Sequence, residues 1–481
     1  MITIYGVYFL SYILICFIYA FYSVSKERSN NKFVDFLLIF WLMTFQVYKT
    51  PYSWKEFPQL GSFRKFDQAL SWFLFIMIIL KIITNEFTKK KEKLLSFEKY
   101  LYIYFFLSIV IYKVHGLLGN TTAYKSSAFI RLYLSTFIFF YVVRTFTSKE
   151  LIRALFRVII FLGIVTSIVS IYQFFIDAKF LRLAAYYMAF PGYNRASGVF
   201  MWPYDNGMFL LLSIYVTSYT FKNNRIKILL NSLFMTGMIL IFTRGVWLAL
   251  LMISLLHAYI FYKSRLRNLL IALPLIVFLT TGVVSAYVIQ KEFFTGEVWT
   301  ERILKDTVSV RLAFYSFIVK AIPQKWVIGY GDVENNEVYF RGMVDAKQGL
   351  AWSLGRRGGI HNVILEEAFI KGIFVPFVYI MMFYKFFRFC VRESKKRKTY
   401  FYCITNNYNT GFFFYVFSVG AYLISRSGYL TVFFFALAAG AYHNKVDLSD
   451  MELKYDEEPV SPVPDISKDV ETKSQNLLEN L

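Results

Sequence analysis

Cysteine, histidine and proline are scarce in this chain of 481 residues, at 3, 4 and 10 copies. The cysteines are Cys16, inside the first apolar run, and Cys390 and Cys403, expected in a Lys/Arg-rich cytoplasmic loop. None falls in a segment expected to face an oxidising compartment, which excludes a disulfide framework there. No Cys, His or acidic spacing suits a metal site, so the sequence implies no metal and no other cofactor. Charge is thin as well. Only 17% of residues are charged, against 57% hydrophobic and 21% aromatic, with a mean hydropathy of +0.47. That balance excludes a soluble globular chain. Tandem repeats are missing and midspan ionisable residues are few, which leaves a polysaccharide transporter or flippase as the alternative of another class rather than the first reading.

What remains is one apolar run after another. A bilayer-crossing helix takes roughly 20 mainly apolar residues. Candidate spans lie near 4–22, 33–48, 67–84, 99–113, 128–143, 151–176, 206–221, 226–242, 246–262, 268–289, 360–384, 408–424 and 429–442. The chain is therefore expected to be an all-α polytopic integral membrane protein with about 12–13 transmembrane helices. Residues 1–442 form its membrane domain, and one large, partly helical extracytoplasmic loop spans 291–359. The run from 226 to 262 is too long for one crossing at about 1.5 Å per residue. A break at Thr243-Arg244-Gly245 turns it into a hairpin. The first span lacks a basic leader and a small-residue cleavage site, so it reads as a retained helix.

The formal net charge of +22 is not a nucleic-acid signature, because its placement alternates. Basic clusters at Lys26/Arg28/Lys32, Lys89–Lys93, Arg144/Lys149/Arg153, Lys222/Arg225/Lys227, Lys263/Arg265/Arg267 and Arg388–Lys398 occupy every second loop. The positive-inside rule makes those loops cytoplasmic and the 291–359 loop external. The N-terminus then lies outside. From about 443 to 481 the chain turns acidic and proline-bearing, and it reads as a disordered cytoplasmic tail.

Four features of the outer side carry chemistry. Arg311 lies in the helical pattern Val308–Ile322, on one stripe with Tyr315, Ile318 and Ile322, opposite Ser309 and Lys320. A cation on a buried stripe needs either an internal acid, such as Asp306, or an anionic ligand. Arg244 stands at an outer helix start, where it either snorkels to headgroups or meets an anion. Arg195 and Arg426 share that placement. Finally, Arg356-Arg357-Gly358-Gly359 leads into Ile360-His361-Asn362 at the mouth of a span. His361 there is either a cap or surface hydrogen-bonder, or a base. Glycine admits close backbone approach, a helix N-terminus attracts anions, and imidazole suits proton abstraction near neutral pH. Arginines at that depth fit a lipid-linked pyrophosphate sugar. Two guanidinium groups would hold the leaving pyrophosphate while His361 deprotonates an acceptor hydroxyl, and in-line attack would invert the anomeric carbon.

Thr243-Arg244-Gly245, Arg311, Trp326-Val327-Ile328-Gly329-Tyr330-Gly331 and His361-Asn362, followed by Leu365, Glu367 and Gly372-Ile373-Phe374, resemble the O-antigen ligase/polymerase family. Arg195-Ala196-Ser197-Gly198-Val199-Phe200 with Pro203 and Asn206 extends the likeness, which covers about 190–390. The resemblance implies metal-independent, inverting glycosyl transfer from an undecaprenyl-pyrophosphate-linked glycan at the outer face of a bacterial cytoplasmic membrane. It implies His361 as base and Arg244 and Arg311 as pyrophosphate ligands, with Arg195, Arg356, Arg357 and Asn362 in support. Its partners would be membrane lipid, an acceptor glycan or lipid, and other polysaccharide-assembly proteins; nucleic acid is not among them. The outward N-terminus and Val375 depart from the ligase pattern and favour a polymerase, with a ligase as the alternative. A metal-dependent transferase would want an acidic pair in the 49–66 loop, which offers Glu56 alone.

Overall fold

The computed structural model describes residues 4–27, 32–45, 93–178, 180–181, 188–190, 193–200, 202–261, 315–316, 318–331, 362–416 and 426–452. The predicted spans at 67–84 and 268–289, most of the predicted 291–359 loop and the tail beyond 452 lie outside these residues. The protein is an all-α polytopic membrane protein, with four helices long and apolar enough to cross a bilayer among the described residues. In chain order the helices are α1 (Ile4–Ser25), α2 (Lys32–Phe45), α3 (Ser96–Leu117), α4 (Ala123–Phe146) and α5 (Lys149–Phe175). After them come α6 (Pro203–Thr220), α7 (Asn224–Ile239), α8 (Arg244–Phe261), α9 (Val363–Lys371), α10 (Phe374–Arg397), α11 (Tyr400–Tyr415) and α12 (Arg426–His443). A short antiparallel hairpin, β1 (Met188–Phe190) with β2 (Tyr193–Asn194), lies between α5 and α6.

Aromatic side chains carry the helix packing, as a chain with this many Phe and Tyr requires. Phe97 of α3 meets Phe386 and Phe389 of α10 at 5.0 and 5.2 Å, and Tyr19 of α1 stacks on Phe161 of α5 at 3.8 Å. The outward face of α1, with Leu14, Ile18 and Phe21, stays exposed. Apolar surface of that extent suits lipid rather than water.

Among the described residues, the basic clusters gather at one end of the bundle, which we call the basic end. There Glu98 at the start of α3 is fully buried and pairs with Arg144 of α4 and His443 of α12, both at 2.9 Å. Glu27 just beyond α1 meets Arg157 of α5 at 2.7 Å. The ionic contacts tie helices from distant parts of the sequence to one plane.

Three sequence expectations need correction. The predicted span 360–384 is two helices, because Gly372 has φ +84° and interrupts it between α9 and α10. The span predicted at 408–424 begins eight residues earlier as α11, and the same helix places Cys403 within it and Cys390 within α10 rather than in a loop. Thr405, Asn406, Asn407 and Asn409 hid that helix from a hydropathy reading. They are buried within the bundle, and Asn409 Nδ2 donates to the Thr405 carbonyl at 2.7 Å. The packed chain expected to end at 443 also continues through 444–452. Leu448 and Met451 are buried, Tyr400 N donates to the Met451 carbonyl at 2.9 Å, and Asp447 and Asp450 meet Lys149 at 3.2 and 2.9 Å. Asp450 also bonds Arg153. Two apolar anchors and a basic landing surface give this stretch what its acidic composition alone would not.

The Ser449 backbone N–H draws the Asp447 carboxyl down to about 2, helped by the Ser449 hydroxyl and Lys149. A depressed carboxyl contributes stability that is present above its unfolded value and lost as pH falls through the folded one. Proteolysis of the 444–452 segment should therefore stay slow from neutral pH to about pH 4 and accelerate below it. Leu448→Ala should accelerate it at pH 7 by removing roughly 2–5 kcal/mol of burial.

Candidate active site

At the end opposite the basic cluster, three helices begin close together. Proline at N1 opens α6, and Tyr204 at its second position lies 6.2 Å from Tyr415 at the end of α11. Gly207 of α6 faces Val246 of α8 closely enough that a Cβ there would stand 2.7 Å from its side chain. Val363 N, opening α9, donates to the Val416 carbonyl just past α11 at 3.0 Å. The first turns of α6, α8 and α9 thus share one end of the bundle. Each carries the partial positive charge of a helix N-terminus.

Arg244 is the first residue of α8, so the predicted hairpin break is where the sequence put it. The turn before it is strained: Phe242 takes φ +51° and stacks on Phe174 of α5 at 5.8 Å. A bulky side chain in the left-handed region costs of order 1 kcal/mol or more and persists only where the surroundings enforce it. Arg195 is half-buried beside this turn, since Ala196 N donates to the Leu240 carbonyl at 3.1 Å. Asn362 is the N-cap of α9, its Oδ1 accepting from Leu365 N at 3.1 Å. His361 precedes that cap. The predicted site residues His361, Arg311, Arg356 and Arg357 lie outside the described residues, as do the side chains of Arg244 and Arg426. The helical stripe downstream of Arg311 holds where it is described, with Ile318 fully buried and Lys320 exposed.

The glycine-bearing segment after that stripe has a definite role. A 3-10 turn at Ile322–Lys325 leads into Trp326–Gly331, which packs along the C-terminal end of α9. Tyr330 N and Gly331 N donate to the Phe369 and Ile370 carbonyls at 2.8 and 3.1 Å, and Ile373 N donates to the Trp326 carbonyl at 2.9 Å. At Gly372 a Cβ would sit 2.1 Å from the Val327 carbonyl oxygen, so the close approach needs glycine. The Tyr330 hydroxyl donates at this seam, to the Ala321 carbonyl or Gln324 Oε1, 3.1 and 3.0 Å away, and burial raises its pKa. His115, at the end of α3, completes the seam. Its Nε2 lies 2.8 Å from the Ile328 carbonyl and 3.0 Å from that of Ile370, while Asn120 Nδ2 is 3.3 Å from Nδ1. Two carbonyls on one nitrogen require Nε2–H, leaving Nδ1 to accept. α9 therefore lies across the bundle end, from α11 to α3, with Trp326–Gly331 strapped to it.

The Arg195–Phe200 segment is held by a second network. Gln173 of α5 donates through Nε2 to the Phe180 and Gly198 carbonyls, both at 2.8 Å, and its Oε1 accepts from Ser197 N and Gly198 N, both at 2.9 Å. Thr166 Oγ1 donates to Asn206 Oδ1 and Asn206 Nδ2 to Ser170 Oγ, each at 2.9 Å. Sequence reasoning singled out Gly198 and Asn206 but missed Gln173, Thr166, Ser170 and His115. Polar side chains inside the apolar run of α5 were the signal that could have found three of them.

Residues 229–380 match the family model described as O-antigen ligase. The match supports membership of the O-antigen ligase/polymerase family, whose activity is glycan transfer of the ligase or polymerase type. It covers both helix starts, at Arg244 and Val363, and the strap between them. No curated protein matches the chain. The α5 network lies outside the matched region, yet it positions the Arg195 segment against the family core.

Gln173→Ala would strand three buried backbone groups, at Ser197 and Gly198, and a half-buried one at Phe180, each buried one worth about 1–3 kcal/mol when unsatisfied. The variant should melt well below the parent in detergent. Ser127→Ala, which removes an exposed hydroxyl, should melt with the parent.

Proposed function

We propose that the protein polymerises a cell-surface polysaccharide by metal-independent, inverting glycosyl transfer. The donor is an undecaprenyl-pyrophosphate-linked glycan at the outer face of a bacterial cytoplasmic membrane. The observation that carries this reading is that the Arg244 helix start and the Asn362 cap share the bundle end opposite the basic clusters. The positive-inside rule makes the basic end cytoplasmic and the site external. A lipid-linked donor presents its pyrophosphate at that depth.

Arg244 and Arg311 bind the pyrophosphate, and guanidinium forks suit that double anion better than ammonium groups do. Helix N-termini add fixed positive potential where negative charge grows on the leaving group. His361 removes the proton from the attacking hydroxyl of the acceptor. The oxygen attacks the anomeric carbon from the face opposite the departing pyrophosphate, whose bond to that carbon breaks, so configuration inverts. Arg195, Arg356 and Arg357 extend the positive surface, and Asn362 holds the helix start beside the base. The acceptor is the growing glycan; transfer to a lipid or wall acceptor instead would make the protein a ligase.

In cells, His361→Ala should abolish surface polymer while the protein stays inserted and abundant. Arg244→Ala and Arg311→Ala should do the same, with Arg→Lys restoring only part of it, and Lys320→Ala should leave polymer near normal. Normal polymer length with His361→Ala removes the base assignment. With purified protein and the glycolipid in EDTA, transfer should persist, and a ladder of lengthening chains separates polymerase from ligase. Dependence on added metal would overturn the mechanism.

A further inference from the structure

Apart from the seam and the arginines, the bundle holds a buried charge pair that the transfer mechanism does not use. Glu367 and Lys371 lie one turn apart on α9, are 0% and 1% exposed, and contact at 2.6 Å. The three N–H bonds of the ammonium are all taken. One side of the head faces both Glu367 oxygens, at 2.6 and 2.8 Å, and the other two bonds go to Tyr133 Oη of α4 at 2.5 Å and Ser108 Oγ of α3 at 3.3 Å. Tyr104 of α3 donates to Glu367 Oε1 at 3.3 Å. The rings of Tyr104, Tyr112 and Tyr133 surround the ammonium at 5.4, 5.4 and 4.7 Å.

A pair in this setting is a poor way to gain stability. Desolvation consumes most of the attraction, and apolar residues of similar volume serve as well or better. What it supplies is direction: one atom pins α9 to two other helices. α9 has nine residues, too few to hold its own orientation. Its start is fixed by the Asn362 cap and the Val363–Val416 bond, and His361 stands immediately before that cap. Its other end is fixed by Lys371.

We propose that Lys371, neutralised by Glu367, is a positioning residue for glycosyl transfer, setting the rotation and depth at which α9 presents His361. This rests on the function proposed above. Losing the pin would let α9 rotate between its remaining contacts, and a misplacement near 1 Å can cost on the order of 100-fold in rate.

The test uses the full-length protein reconstituted with glycolipid extracted from host cells deleted for this chain. Melting temperature, kcat and KM are read for Lys371→Met, for Lys371→Met combined with Glu367→Gln, and for Tyr133→Phe. The single Lys371→Met strands a buried carboxylate and should lose both stability and kcat. The double variant should recover its melting temperature yet keep kcat at least about tenfold down, with KM within about threefold of the parent. Tyr133→Phe removes one hydroxyl only and should fold normally with a lowered kcat and an unchanged KM. Parental kcat in the double variant, or in Tyr133→Phe if the double does not fold, makes the pair purely structural and overturns the proposal. Parent protein and His361→Ala are assayed alongside. If the parent transfers nothing, or His361→Ala matches it, the glycosyl-transfer reading itself falls and takes this inference with it.

Discussion

A helix broken near a membrane face leaves backbone N–H and C=O groups that lipid cannot satisfy, and the break at Gly372 governs how the rest of this bundle end is built. Trp326–Gly331 supplies the missing partners, donating to the Phe369 and Ile370 carbonyls and accepting from Ile373 N. His115 bridges both strands of the seam. Irregular backbone at membrane depth survives only when buried in protein in this way. One consequence is that Trp326–Gly331 and α9 form a single mechanical unit. The segment downstream of Arg311 cannot move without the helix that follows His361.

The two halves of the chain divide the work. Residues after 229 carry the family match and the proposed transfer chemistry. Residues before it provide scaffold: α3 gives His115, Ser108 and Tyr104, α4 gives Tyr133, and α5 gives the Gln173 and Thr166 network. Opposite, the basic end is locked by Glu98, Glu27 and the docked stretch through Glu452. A bundle stiffened at one end by ion pairs and at the other by backbone seams suits the fixed geometry that the proposed transfer demands.

Much of this was legible in residue order. Apolar runs marked most helices, and Arg244-Gly245 marked a real hairpin because a run of that length cannot cross a bilayer once. The glycines of Trp326–Gly331 and Gly372 entered the sequence reading only as part of the family pattern, and their close backbone approach emerges from the structure. Other features were hidden for physical reasons. Gly372 follows a single lysine inside an otherwise apolar stretch, so hydropathy ran through the break. The Asn-rich start of α11 mimics a loop until its partners are known. Glu367 and Lys371 at i and i+4 look like an ordinary solvated pair, since nothing local reveals that three tyrosines and a serine from distant helices enclose them. The docking of Leu448 and Met451 likewise depends on a surface assembled from α5 and the start of α11.

The central claim is in-line displacement of a lipid pyrophosphate by a hydroxyl that His361 deprotonates. The most direct measurement is the anomeric configuration of the newly formed linkage, compared by NMR with that of the sugar–pyrophosphate bond in the donor. The account predicts opposite configurations. Retention would require a covalent glycosyl intermediate or a different site, and would contradict it.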